Sequence, residues 1–241
     1  MAIRAILFDL GDTLFRLHPL PEDFRPALAG VLRDVVAEAD AVQLAGEIQD
    51  AIRDAWEASS GPGLTAEVDN AGTIADVLEG IENADLPRLA RRLADVFGKA
   101  DVARFEAGED CGDRVATFLN RGVRLGLVSN TSTRPDLLAG YMDQVGLTAS
   151  LFQTMLFSSA TGIRKPNPKV YERALRRMGT RPDETLFVGD RVGEDIRGPM
   201  AAGMYAVLTH EFRQEDPGSA RPIAVVRKLL DVHEVLRTLR T

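Results

Sequence analysis

The sequence predicts an α/β fold, a doubly wound parallel sheet carrying an inserted α-helical domain, and three observations lead to it. Short apolar runs of strand length recur, each ending in small or polar residues. Segments of helix length separate them, and residues 16–108 switch to helical spacing. Runs that do not alternate apolar with polar belong to strands buried on both faces, as in a parallel sheet covered by helices. Strand and helix taking turns in this way build a doubly wound sheet.

The first strand is AIRAILFDL at 2–10. After it, FRPALAGVLRDVVAEA, LAGEIQDAIRDAWEA, IADVLEGIENA and PRLARRLADVFG place apolar residues at helical intervals, and no convincing strand occurs before residue 108. SSGPGLT at 59–65 and Pro87 break this stretch. We expect a small helical domain at 16–108, inserted into a sheet domain made of 1–15 and 109–241; a helical excursion lying flat on the sheet is the other arrangement. Beyond it, helices are expected at about 110–121, 133–145, 167–178 and 194–202. They alternate with the strands VRLGLVSN (123–130), SLFQTMLFS (150–158), ETLFVGD (184–190) and MYAVLTH (204–210). The tail AVVRKLLDVHEVLRTL reads as an edge strand and a closing helix.

With 241 residues, 45% hydrophobic and 27% charged, the chain can bury one large or two modest cores. Its 29 basic and 36 acidic residues leave a formal charge of −7, which opposes binding of a nucleic-acid backbone. Cys111 is the one cysteine, so no intrachain disulfide forms and a reducing, cytoplasmic setting is expected. The opening apolar stretch is too short for a secretion signal and is soon interrupted by Asp9 and Asp12. No apolar run reaches membrane-spanning length, so no membrane partner is expected. Oligomeric state is not legible, because an apolar helix face serves a core or an interface equally well.

In an open parallel sheet the reactive groups gather where strands end, because loops and helix N-termini converge there. Four polar clusters occupy such ends: FDLGDTL at 8–14, SNTS at 129–132, GIRKPNP at 162–168 and GDRVGED at 189–195. Asp9 follows an apolar strand directly, so its carboxylate is held rigidly where it could attack phosphorus and split hydrolysis into two transfers. Ser129 and Asn130 are equally suited to capping the helix that follows, and Asp195 to a first helical turn. Arg164 is expected on the surface, and Trp56 within the helical packing. His18, His210 and His233 lack metal-ligand spacing.

In order and content these clusters resemble the haloacid dehalogenase superfamily of phosphohydrolases, and the helical insertion is similar to that family's first type of cap. The resemblance implies a Rossmann-like core, Mg2+ as cofactor and a small phosphorylated metabolite as substrate. It makes Asp9 the nucleophile and assigns the metal to Asp9, the Gly11 carbonyl and Asp190. Asp195 would hold either the metal's water or Lys165. Ser129, Asn130 and Thr13 would bind the transferring oxygens, and Lys165 would neutralise their charge. Substrate choice would reside on the cap, with hinges near 16 and 108.

One position departs from the pattern. Phosphatases of the family usually carry DxDGT, in which the second aspartate is the general acid and base; here the run is Asp9, Leu10, Gly11, Asp12, Thr13. Glycine moves no proton. Either Asp12 or a cap residue replaces the acid, or Asp12 braces the chain as it leaves for the cap. Three activities follow: a Mg2+-dependent phosphatase, a dehalogenase or phosphonatase on the same nucleophile, and a module that binds a phosphorylated ligand without turnover. A phosphonatase would need a cap lysine, and Lys99 is the only lysine in 16–108.

Overall fold

The computed structural model describes residues 2–59, 64–81 and 85–239. The chain enters through strand β1 (Ala5–Phe8) and the two-residue strand β2 (Arg16–Leu17). It then forms helices α1 (Arg25–Leu32), α2 (Glu38–Ser59), α3 (Asn70–Val77) and α4 (Leu86–Ala103), and returns through strand β3 (Phe105–Glu106). The rest alternates: α5 (Cys111–Ala116), β4 (Arg124–Ser129), α6 (Pro135–Gln144), β5 (Thr154–Phe157), α7 (Ser158–Thr161), α8 (Pro168–Met178), β6 (Thr185–Gly189), α9 (Gly198–Ala201), β7 (Tyr205–Thr209), β8 (Ala224–Val226) and α10 (Val232–Thr238).

Six strands form one sheet in the order β5-β4-β1-β6-β7-β8, and every neighbouring pair is parallel. Alternation along β1 explains the run of apolar residues. Ile6 and Phe8 face a core with Leu125, Leu127, Val188, Phe118 and Met142, whereas Ala5 and Leu7 face Val170, Tyr171, Ala174 and Met178 on the other side. The expected edge strand is β8, and the closing helix is α10.

Four details differ from the sequence reading. The strand expected at 150–158 is shorter: residues 149–151 form a 3-10 turn and only Thr154–Phe157 joins the ladder. Leu151 and Phe152 still pack on the core, because apolarity reports burial rather than ladder pairing. The helix expected at 194–202 opens as a π-type turn, Val192–Arg197, before α9. Pro87 begins a helix instead of breaking one, since it lies in the first turn of α4 where its missing N–H costs nothing. Finally, the stretch expected to lack strands carries β2 and β3, paired antiparallel as Arg16 with Glu106 and Leu17 with Phe105. Two residues are too few to show a period.

The helices of the insertion pack around their own core. Ala41, Ala45, Ile48 and Ile52 make one stripe of α2 and meet Leu28, Leu32, Ile74, Leu93 and Phe97. Asp69 and Asp85 cap α3 and α4, accepting from the amides of Gly72 (3.0 Å) and Arg88 (3.2 Å). Of the expected break at 59–65, residues 60–63 lie outside the described residues; 64–66 run without helix, and Ala66 bridges Ile163 of the sheet domain.

Candidate active site

Three of the four predicted clusters follow strand ends, whereas 162–168, expected at one too, follows the short helix α7 because that turn intervenes after β5. Asp9 follows β1, with its amide donating to Val188 O (2.9 Å), Ser129 ends β4, and Asp190 follows β6. Lys165 comes from the loop between α7 and α8. Its Nζ donates at 2.6 Å to both Asp9 Oδ1 and Asp195 Oδ1. All four side chains are buried: Asp9 is 7% exposed, Asp190 and Lys165 1%, and Asp195 0%. Thr13 Oγ1 lies 3.5 Å from Asp9 Oδ2 and 3.4 Å from Asp190 Oδ1.

Burial of this many ionisable groups sets the electrostatics. Burial opposes charge on Lys165, but the Asp195 and Asp9 carboxylates reverse this and hold it above the usual lysine range. Asp195 is pushed up to about 8 by burial, against the pull of Lys165. Asp190 rises to about 6 through burial and the neighbouring Asp9, against Arg191 and Arg213. Oxygen atoms of Asp9, Asp190 and Asp195 lie within 4.8 Å of one another. Three carboxyl groups meet here around the Lys165 ammonium, with Arg213 reaching Asp190 from the side. Hard oxygen donors so grouped suit a small divalent cation.

Local structure explains the placements. A Cβ on Gly189 would lie 2.4 Å from Asp195 Cβ, so the glycine before Asp190 is what admits Asp195 to the cluster. The π-type turn folds Asp195 back so that Oδ2 accepts from the Arg191 amide (3.0 Å). Asn130 grips the lysine loop from the core side: its Nδ2 donates to Lys165 O (2.9 Å) and its Oδ1 accepts from Lys165 N (2.8 Å). The side chain expected to touch transferring oxygens thus fixes the backbone of the residue expected to neutralise them.

Asp12 sits at φ 56°, and its Oδ1 accepts from the amide of Leu17 in β2 at 2.9 Å. A Cβ at Gly11 would stand 2.5 Å from Leu17 Cδ1, so a side chain at residue 11 requires that terminal methyl to move aside.

A cavity of about 270 Å3 opens above Asp9, Gly11, Ser129 and Asn130. The helical insertion supplies Leu20, Trp56, Glu67, Phe97, Asp101 and Arg104 to its wall. Trp56 packs edge-on to Phe97 (5.7 Å) as expected and also faces the cavity. Arg164, expected on the surface, lines the cavity and pairs with Glu67 (3.3 Å). Lys99 is exposed and does not line it. Sequence reasoning missed Arg213, whose Nη1 reaches Asp190 Oδ2 (3.2 Å) and Glu215 Oε2 (2.6 Å) from the loop after β7; its only signal was a basic residue beyond a strand end. It missed Asp101 and Arg104 because nothing in a helical pattern marks which residues face the sheet, and Glu67 because it lies in the connection between α2 and α3. No helix among the described residues is long and apolar enough to cross a membrane.

The haloacid dehalogenase-like hydrolase model matches residues 3–203, and the chain belongs to that family. The phosphoserine phosphatase of Thermus thermophilus is 30% identical over 92% of this chain and 95% of its own length. The glyceraldehyde 3-phosphate phosphatase of Methanopyrus kandleri is 27% identical over 89% and 87%. Among solved structures, the 2-haloacid dehalogenase of Pseudomonas syringae pv. Tomato aligns with a TM-score of 0.69 at 23% identity, covering 98% of this chain and 99% of that one. That likeness speaks for the fold.

Proposed function

We propose that this chain is a Mg2+-dependent phosphatase of small phosphate monoesters, with Asp9 as nucleophile. The observation that carries the reading is the buried group of Asp9, Asp190, Asp195 and Lys165 beneath a cavity sized for a small ligand. An Asp9 oxygen attacks phosphorus, the ester oxygen leaves, and water then attacks the aspartyl phosphate to free Asp9 and phosphate. Lys165 offsets charge on Asp9 and on the transferring oxygens; Asp195 holds its ammonium and Asn130 its backbone. Thr13 places its hydroxyl 3.5 Å from Asp9, and Ser129 lines the same cavity. Asp9, Asp190 and the Gly11 carbonyl would hold Mg2+, which supplies the positive charge that lets an anionic substrate approach a carboxylate. Arg213 holds Asp190 from behind.

The helical insertion, 16–108, acts in this reading as a cap over the core at 1–15 and 109–241, with the paired strands β2 and β3 as its hinge. Closure excludes water while phosphorus is transferred. The carboxylate group beneath the cavity favours phosphoester over haloalkanoate chemistry, and the exposed Lys99 disfavours a Schiff-base phosphonatase.

The test is hydrolysis of an aryl phosphate, whose leaving group needs little help from an acid. Turnover should require Mg2+, stop with chelator, and fall to background in Asp9→Asn. Hydrolysis by Asp9→Asn at the wild-type rate would remove Asp9 as nucleophile.

A further inference from the structure

One carboxylate of the helical insertion reaches the 162–168 cluster directly and the 129–132 cluster through Ser158. The Glu67 side chain is 3% exposed although it lies on the seam between insertion and sheet domain. Its Oε1 accepts from Arg164 Nη1 (3.3 Å) and from the Val68 amide (2.9 Å), and its Oε2 accepts from Ser158 Oγ. Ser158 Oγ in turn accepts from the Thr131 amide (2.7 Å), just past the end of β4.

The backbone around Glu67 is joined to the same loop. Glu67 N donates to Gly162 O (3.0 Å), and Arg164 N donates to Thr65 O (2.7 Å). Asn167 Nδ2 reaches Thr65 Oγ1 at 3.1 Å. Residues 65–67 therefore lie as a short antiparallel splint along 162–164, and Lys165 is the next residue. Asn130 holds Lys165 from the core side, so the lysine is gripped from both directions. A carboxylate this buried persists only where its oxygens are satisfied, and here every partner outside its own segment belongs to the sheet domain.

We propose that Glu67 is a positioning residue for the catalytic step: seated between Arg164 and Ser158, it ties cap closure to the placement of Lys165 and of the β4 end. This rests on the phosphatase reading for its kinetic consequence, though not for its structural one. With the cap away, the splint and the Glu67 contacts are lost together, and the lysine loop keeps only its Asn130 clamp.

The experiment compares wild type, Glu67→Ala and Glu67→Gln by amide hydrogen exchange, aryl phosphate kinetics and thermal melting. In Glu67→Ala, exchange at Thr131, Arg164 and Lys165 should accelerate about 10-fold, the scale of one charge-assisted hydrogen bond. Amides of β6 and β7 should be unaffected. The kcat should fall by about 10-fold with little change in KM. Glu67→Gln, which keeps an acceptor for Ser158 or Val68 but loses the charge facing Arg164, should lie between. Unchanged exchange at Arg164 and Lys165 in a folded Glu67→Ala protein overturns the proposal. So does acceleration spread evenly over the sheet, which marks a merely structural role. If wild type hydrolyses no aryl phosphate, the phosphatase reading falls, and the exchange data alone decide the splint.

Discussion

Asp190 has partners of opposite character. Thr13 approaches one carboxylate oxygen, while Arg213, itself anchored on Glu215, holds the other from outside the cavity. A guanidinium so fixed restricts the carboxylate's rotation and leaves one oxygen directed at the group formed with Asp9 and Asp195. Partners that orient a metal ligand are worth about 10- to 100-fold in metal affinity. Arg213→Ala should therefore weaken Mg2+ binding by roughly that factor, read by titration calorimetry on the folded protein. Wild-type affinity in the variant would show that Asp190 needs no such support. Asn130 teaches the same lesson about individual side chains. An amide that both donates and accepts is equally suited to a phosphate or to a peptide group, and only the neighbouring Lys165 backbone determines which it meets.

Among the elements, β2 has an effect out of proportion to its length. It carries Leu17 over Gly11 and is tied down by Asp12, whose carboxylate accepts from the Leu17 amide. Leu17 thus lies where a side chain at residue 11 would begin. Replacing Gly11 by Asp requires the terminal methyl of Leu17 to move aside, so the variant is best paired with a smaller residue 17. Combined with Leu17→Ala it should raise hydrolysis of an alkyl phosphate relative to an aryl phosphate by roughly 10²-fold, within the usual span of general acid–base catalysis. A double variant with the wild-type ratio would mean that protonation of the leaving group is already supplied elsewhere. The π-type turn shows a related economy, since one widened turn next to Gly189 carries Asp195 into the cluster and back to the Arg191 amide.

For the molecule as a whole, the buried acids link stability to pH and to metal. Asp190 and Asp195 have folded-state values near 6 and 8, above the ordinary carboxylate value they take in the unfolded chain. A group raised in this way keeps more protons when folded, so its contribution to stability is present at low pH and is lost as pH rises through those values. A bound cation replaces the lost protons. The rise in melting temperature produced by Mg2+ should therefore grow between about pH 5 and pH 8, as measured by thermal denaturation with metal and with chelator. A Mg2+ increment that shrinks over this range would contradict the placement of the ion among these carboxylates.

The amino-acid sequence alone determined the parallel sheet, the helical stretch after its first strand, and the emergence of Asp9, Ser129 and Asp190 at strand ends. These follow from local periodicity, because a strand buried on both faces must be apolar and the residue that ends it must emerge where the others do. Element boundaries were less legible where burial and hydrogen bonding part company, as at Leu151 and Phe152, or where an element spans two residues, as in β2 and β3. Tertiary structure alone decided that Glu67 meets Arg164 and Ser158, that Arg213 backs Asp190, and that Leu17 covers Gly11. Glu67 lies 97 residues from Arg164 in the chain, and no spacing rule relates them. Such pairs are chosen by how the helical insertion settles on the sheet, a property of packed surfaces that no window of sequence contains.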